Sequence, residues 1–551
     1  MFKDKFLIFI ILIIALLSIS VASAEDVSSN ATDTQESVIL THDDLSTKTT
    51  TSTYDENTSL EYDNSQSENI LETYKEDVNF SNENTLGDVE SSDDTAFFNN
   101  DLISSNEPTT QNNIIHNEKL VSKSFTQLKE EIELASDTLT LDSNYKMTAN
   151  EENSFKNGIS IFKNINIDGN GFTIDANNLK MIFKIGNRFS VSLSITISNC
   201  NLVNCAFYNY GSDSSLTVNN CNFINSSLKY NGYGSVIYSN VKGNTSIMNS
   251  NFSGNVKSYS VYLMNSKTNI TNSIFDNNNG GAFYMGGGTT AMINNCSFKN
   301  NFAQDGGAVY AVNDNPTFNN CIFINNSATN AGAFMSIQAG NSILNNCIFI
   351  DNFASNNGGA VIFKTWSGGI LNNCTFINNS AKNMGGAIYW ATSGGISNSS
   401  KFIGNDAKEG GAIFSPYIDN AFTGRYPTLI NSTFADNIAT ANGGALYMKC
   451  VEANVTYCNF TNNIAQANGG SIYWESYYLG VKYNPTISYC NFEAKDNNYV
   501  IYNNKELYLV NNTINADFAI YNNGIIKTPI TFVILDNQTK CFPNDDVRIT
   551  A

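Results

Sequence analysis

The sequence predicts an all-β protein built as a parallel β-solenoid, with a short capping helix at its start and a disordered acidic tail before that. Three observations carry the prediction. A unit of about 27 residues recurs through the second half of the chain; apolar residues inside each unit alternate with period two; and no unit contains a helical stretch.

Of the 551 residues, Met1 to Ala24 read as a secretory segment: Lys3 and Lys5, an apolar run from Phe6 to Leu17, then Ala22-Ser23-Ala24 as a cleavage site. An uncleaved N-terminal anchor is the rival reading, because Phe6 to Val21 nearly reaches the ~17 residues of a membrane span. Residues 25–122 hold 22 acidic side chains against 3 lysines, which is almost the whole of the chain's net charge of −20. Few large apolar residues accompany them, so this stretch is expected to form a disordered stalk. From Lys123 onward the chain is nearly neutral. That distribution, with a pI near 4.5, excludes a nucleic-acid partner, since phosphate binding needs clustered cations. Both histidines, His42 and His116, lie in the stalk. The remainder therefore has no histidine for a base or a metal, and no cofactor or metal is expected.

Next comes the predicted cap, residues 123–150. Phe125, Leu128, Ile132 and Ala135 have helical spacing with Ser124 as N-cap, and Thr138 to Leu141 follow as a strand. A solenoid needs such a cover because its terminal coil exposes unpaired strand edges.

The β-solenoid itself is expected over 123–523. Its motif is roughly Asn-Cys-x-Phe-x-Asn-Asn-x-Ala followed by Gly-Gly-Ala-(Ile/Val)-Tyr. The phenylalanines run from Phe223 through Phe252, Phe275, Phe298, Phe323, Phe349, Phe376, Phe402, Phe434 and Phe460 to Phe492. The second glycine keeps the same beat from Gly281 to Gly470, and Ala331 once replaces the first. A unit this short cannot close a core alone, whereas stacking unit on unit does. A β-propeller is excluded because its blades need about 40 residues. One coil per unit piles phenylalanine on phenylalanine inside and asparagine on asparagine at the turns, at ~4.8 Å per step. Weaker coils are expected upstream near Ile165, Ile195 and Leu202 and downstream near Leu509, for a rod of roughly 65 to 75 Å. The glycine pair marks a bend where a Cβ would clash or φ must be positive. Residues 524–551 change character, and Thr531 to Leu535 read as a strand opening a possible Ig-like β-domain.

The helical cap from Phe125 to Leu141, the string Asn166-Ile167-Asp168-Gly169-Asn170-Gly171-Phe172-Thr173-Ile174-Asp175 and the Gly-Gly-Ala units carry a resemblance. From Ser124 to about Asn523 the chain resembles archaeal adhesin-like surface proteins of the right-handed parallel β-helix (pectin-lyase-like) superfamily. Its short motifs are similar to the repeats of chlamydial polymorphic outer-membrane proteins. The resemblance implies a right-handed β-helix and a displayed surface; no catalytic or ligand motif carries over with it.

Eight cysteines (Cys200, Cys221, Cys296, Cys321, Cys347, Cys374, Cys458 and Cys490) stand two before the inward Phe or Leu. Serine takes that place at Ser250, Ser273, Ser400 and Ser432. A position that accepts either residue fills a small hole. Buried thiols are the first reading and scattered disulfides such as Cys321 to Cys347 the second; a metal site is disfavoured without CxxC or His. Cys205, Cys450 and Cys541 lie off this ladder. Sequons at Asn251, Asn295, Asn373, Asn431 and Asn459 are read as turn-ladder asparagines rather than glycan acceptors.

Lyase or hydrolase chemistry needs clustered carboxylates. Those here, Asp276, Asp305, Asp351, Asp406, Glu409, Asp436 and Glu475, are scattered, and Asp351 and Asp436 stand where other units have Asn. The chain is therefore not expected to be an enzyme. Two units are longer than the rest, with 23 residues from Gly411 to Phe434 and 22 from Gly470 to Phe492, against 16 or 17 elsewhere. Both insertions fall at the same place in the coil, one ordinary unit apart, and are expected to project from one flank. They carry Tyr417, Phe422, Arg425 and Tyr426 in the first and Trp474, Tyr477, Tyr478 and Tyr483 in the second. Two readings stay open: a recognition ledge that binds a ligand through aromatic faces, or loops that pack on each other and cover the flank.

Function follows as an expectation: an exported, adhesin-like cell-surface rod attached to its own envelope by an unknown anchor. Its partners would be glycans or proteins of other cells, or a host or community matrix. The alternatives are a polysaccharide lyase or hydrolase of the same fold and a structural envelope protein.

Overall fold

A computed structural model describes residues 122–527, apart from positions 178–180, 188, 190–191, 227–235, 339, 366, 392–393, 417–425, 450–452, 476–484, 495–497 and 505, together with 533–534. Residues 1–121, where the sequence reading placed a secretory segment and a stalk, lie outside the described residues. No helix among the described residues is long and apolar enough to cross a membrane.

Each repeat is one turn of a parallel β-solenoid. Sheet 1 has 16 strands, from Thr138–Thr140 to Ile525–Lys527; sheet 2 has 16, from Tyr145–Lys146 to Val533–Ile534; sheet 3 has 15, from Ile159–Ile161 to Ile520–Asn522. Every strand pairs in parallel with its counterpart one coil away, as in Phe323↔Phe349 and Phe349↔Phe376. A fourth sheet of seven strands, Phe302–Asp305 to Ile464–Ala465, was not anticipated. It forms where the motif's alanine turns inward, and Ala354, Ala381 and Ala407 pack as a small cluster of their own. Fifteen steps of about 4.8 Å carry sheet 1 over about 72 Å.

The phenylalanine column is continuous. From Phe223 to Phe492 successive rings lie 4.6 to 5.1 Å apart, nearly parallel and fully interior. Helix α1 (Phe125–Leu134) covers the first coil. Ser124 accepts the Gln127 N–H and the Gln127 side chain accepts the Ser124 N–H, a capping box, while Phe125, Leu128 and Ile132 enter the core.

Two kinds of asparagine ladder hold the corners. Outside, the residue before the ladder cysteine or its substitute is left-handed in every coil from Asn199 to Asn511, with φ of 48° to 55°, and where it is asparagine its amide bonds along the axis, as Asn373 does to Asn346 at 2.9 Å. Inside, a buried column runs Asn255, Asn278, Asn301, Asn326, Asn352, Asn379, Asn405, Asn437, Asn463. In that column the backbone N–H and the side-chain amide of one residue both donate to the next residue's Oδ1, and the second amide hydrogen meets a phenylalanine carbonyl. Such buried amides are tolerated because their hydrogen bonds are satisfied.

The glycine pair divides its labour. The first has φ of 58° to 69° from Gly306 to Gly469, a conformation that only Ala331 (φ 54°) adopts with a Cβ at this place in the coil. The second sits so close to the next coil that a Cβ on Gly386 would lie 2.1 Å from the Gly411 carbonyl oxygen.

The parallel pairing continues past residue 523: Ile525–Lys527 pairs with Glu506 to Tyr508 in sheet 1, and Val533–Ile534 pairs with Thr513 and Ile514 in sheet 2, while the rest of 528–551 lies outside the described residues. The solenoid simply loses its Phe signature there and keeps its isoleucine.

Candidate binding surface on the C-terminal coils

Both insertions leave the end of a sheet 3 strand, Ile413–Ser415 and Ile472–Glu475, and rejoin at the sheet 1 strands Thr428–Ile430 and Thr486–Ser488. Tyr417, Phe422, Arg425, Tyr477, Tyr478 and Tyr483 lie outside the described residues. Tyr426 is half-buried at the rejoining point, where its carbonyl accepts the Thr428 hydroxyl at 3.3 Å. Trp474 is not on a ledge. It is 1 % exposed, stands in register with Met448 and packs in the main core. The strand's alternation turns Trp474 inward and its neighbour Tyr473 outward.

Tyr473 belongs to a column on the face of sheet 3 turned away from the core, in which Phe414, Tyr447 and Tyr473 are themselves buried against one another. In register it runs Tyr208, Tyr238, Tyr262, Tyr284, Tyr310, Met335, Ile362, Tyr389, Phe414, Tyr447, Tyr473, Tyr502, Tyr521. From Tyr389 onward it is wholly aromatic, with centroids 4.5 to 5.6 Å apart. Polar groups gather on the same coils. The Tyr447 hydroxyl donates to the Glu475 carboxylate, Lys449 lies 3.7 Å from Glu475, and the Asn504 amide donates to the Tyr473 hydroxyl at 3.2 Å. Burial, then the Glu475 carboxylate, push the Tyr447 phenol well above its ordinary range, and burial pushes Tyr473 up to about 12. Both phenols therefore stay protonated; the Tyr447 hydroxyl donates to Glu475, and that of Tyr473 accepts from Asn504.

A second aromatic feature escaped the sequence reading. The left-handed position before the ladder cysteine is Asn in ten of thirteen coils and Ser399 in one; in the remaining two it is Tyr457 and Tyr489, both with φ 55°. A left-handed tyrosine costs roughly 1–2 kcal/mol, and stacking returns only about 0.5–1.5 kcal/mol. The rings stack at 5.0 Å and 17°, yet are 56 % and 45 % exposed. The signal was the replacement of Asn-Cys-x-Phe by Tyr-Cys-x-Phe, twice, in the coils that flank the second insertion.

Other candidates resolve into structure. The nine described cysteines are unbridged and buried. Cys347 points its thiol to the Asn345 carbonyl two residues back at 3.4 Å, and Ser400 does the same to Asn398 at 3.2 Å, which explains their interchange. Cys205 is buried at the start of the strand Cys205–Asn209, while Cys450 and Cys541 lie outside the described residues. Asp351 and Asp436 share the left-handed turn place of Asn325 and Asn378. Asp276 and Asp305 accept ladder amides from Asn300 and Asn330. Of the sequons, Asn295, Asn373 and Asn431 spend their amide N–H on the neighbouring coil. One buried acid was missed: Asp314, 1 % exposed, accepts the Gly288 N–H at 2.8 Å while its Oδ2 has no partner, and burial pushes its carboxyl up to about 7.

A family model described as "Right handed beta helix region" matches residues 235–407. The solenoid is a right-handed β-helix. A second model, the Chlamydia polymorphic membrane protein repeat, matches residues 431–449 of this β-helix, between the two insertions. A solved structure, a PL6 alginate lyase in complex with a trisaccharide, aligns over 77 % of this chain and 91 % of its own, with 11 % identity and a TM-score of 0.31. No curated protein sequence matches the chain significantly.

Proposed function

We propose that the protein is an exported, adhesin-like β-helical rod of the cell surface that attaches to glycans, to other cells or to matrix, with residues 25–122 as its acidic stalk. The match to a polymorphic membrane protein repeat supports a surface location. The observation that carries the reading is the aromatic column from Tyr389 to Tyr521 on the face of sheet 3 turned away from the core: Tyr389, Tyr502 and Tyr521 stay half-buried, while Phe414, Tyr447 and Tyr473, on the strands next to the two insertions, are covered. Aromatic side chains with nearby donors are the residue class that anchors recognition surfaces. The test compares the secreted full chain with a variant whose segments 417–425 and 476–484 are trimmed to ordinary length, on cells and on a glycan array. Binding by the first and not by the second is expected. Release of unsaturated sugars from uronate polymers would instead make the protein a lyase and overturn the reading.

A further inference from the structure

We propose that Tyr457 and Tyr489 form a stacking platform for a neutral pyranoside. This rests on the adhesive reading above and names the ligand class and the place. Three observations converge. The fold favours asparagine at these two positions and takes it, or serine, in every other coil, so tyrosine is kept against local backbone preference. Strain of that kind collects where a site needs it. The rings are not buried in return; they stand more exposed than almost any other aromatic side chain described. They stack on one another across one coil step, so together they offer a rigid aromatic edge two coils long.

The surroundings supply hydrogen bonds. One residue before each ring, Thr456 and Ser488 share a hydroxyl contact of 2.9 Å; two residues after, the Asn491 amide donates to Asn459 at 3.0 Å. A sugar presents the complementary set, an apolar face of C–H groups and a rim of hydroxyls. Charge selects among sugars. Across 454–461 and 486–493 the only charged side chain is Glu493, so nothing there pairs with a uronate, and the carboxylate repels one. Tyr489 directly follows the three-residue strand Thr486–Ser488 at which the second insertion rejoins, about 10 Å of chain, and Tyr457 stands in register one coil before it.

The full chain is tested against a glycan array printed with neutral and uronic-acid oligosaccharides, and by gel retardation in soluble xylan, β-glucan and alginate. Tyr457→Asn with Tyr489→Asn installs the ladder's own residue, so the melting temperature is expected to hold or rise. Retention by neutral glycans is expected to fall about tenfold or more. Tyr457→Phe with Tyr489→Phe keeps the rings and is expected to keep binding within a few-fold. A double-asparagine variant that binds like the wild type, with the insertion-trimmed variant unable to bind, removes the platform and leaves adhesion standing. Binding confined to alginate overturns the neutral-sugar assignment. A wild-type chain that retains no glycan, cell or matrix overturns the adhesive reading and the platform with it.

Discussion

Replacing Asn352 by alanine tests whether the buried amide column, rather than the phenylalanine stack alone, holds successive coils together. Asn352 accepts the backbone N–H and the side-chain amide of Asn326, each at 3.0 Å, and donates its own amide to the Phe323 carbonyl at 3.0 Å and to Asn379 Oδ1 at 2.9 Å. Alanine leaves three buried groups without these partners: the Asn326 N–H, one Asn326 amide hydrogen and the Phe323 carbonyl. At about 1–3 kcal/mol for each buried group left unpaired, the loss is on the order of 5 kcal/mol. Asn383→Ala is the control. It removes a bond of similar length, 2.7 Å to Asn356, from an exposed ladder where water replaces it, at about 0.5–1 kcal/mol. A solenoid opens locally, so the readout is native-state hydrogen exchange of the coils around residues 323–379, alongside the melting curve. If the two variants lose protection equally, the inner column is not a structural spine and the reasoning fails.

Gly386→Ala puts a Cβ 2.1 Å from the Gly411 carbonyl oxygen and 2.5 Å from that of Asp406, both backbone; a loss of about 3 kcal/mol is expected, read by denaturant unfolding. Asp314 gives a pH signature. Its folded carboxyl, raised from 3.8 to about 7, favours the folded state at low pH, and that advantage is lost as pH rises from about 4 through 7. Asp314→Asn is therefore expected to raise the melting temperature at pH 8, with a ceiling on the order of 4 kcal/mol, and to change nothing at pH 4; an equal effect at both values refutes the assignment. For the cysteines, a reductant is expected to leave the melting temperature unchanged, and Cys347→Ser is expected to cost less than about 1.5 kcal/mol, because serine already serves in four other coils.

The repeat made most of the fold legible. A 27-residue beat with period-two alternation leaves little choice but stacked coils, and Phe223 to Phe492 fall in register as that beat requires. The glycine pair was read as either a clash or a positive φ; it is both, one on each residue. What sequence did not reveal depends on phase and on side-chain burial. Trp474 and Tyr473 are adjacent aromatics, and only the register with Met448 and Tyr447 tells which one faces out. In Asn-Asn, nothing local distinguishes the left-handed Asn378, outside, from Asn379, wholly inside. The last coils lack the sequence beat because Ile514, and Ile534 in register with it, stand where earlier coils have phenylalanine. Tyr457 and Tyr489 were visible as exceptions to a pattern, but their significance depends on knowing that the pattern marks a left-handed backbone.

The inner asparagine column has a grammar of its own. Every member from Asn255 to Asn437 speaks to its successor with the same pair of donors, so the message is identical at each step and always runs one way. Remove one whole turn and the two new neighbours still complete each other's sentence. Remove half a turn and they do not. Evolution can therefore lengthen or shorten this molecule by entire windings without inventing new contacts, and its length becomes a trait adjustable in increments of a single winding.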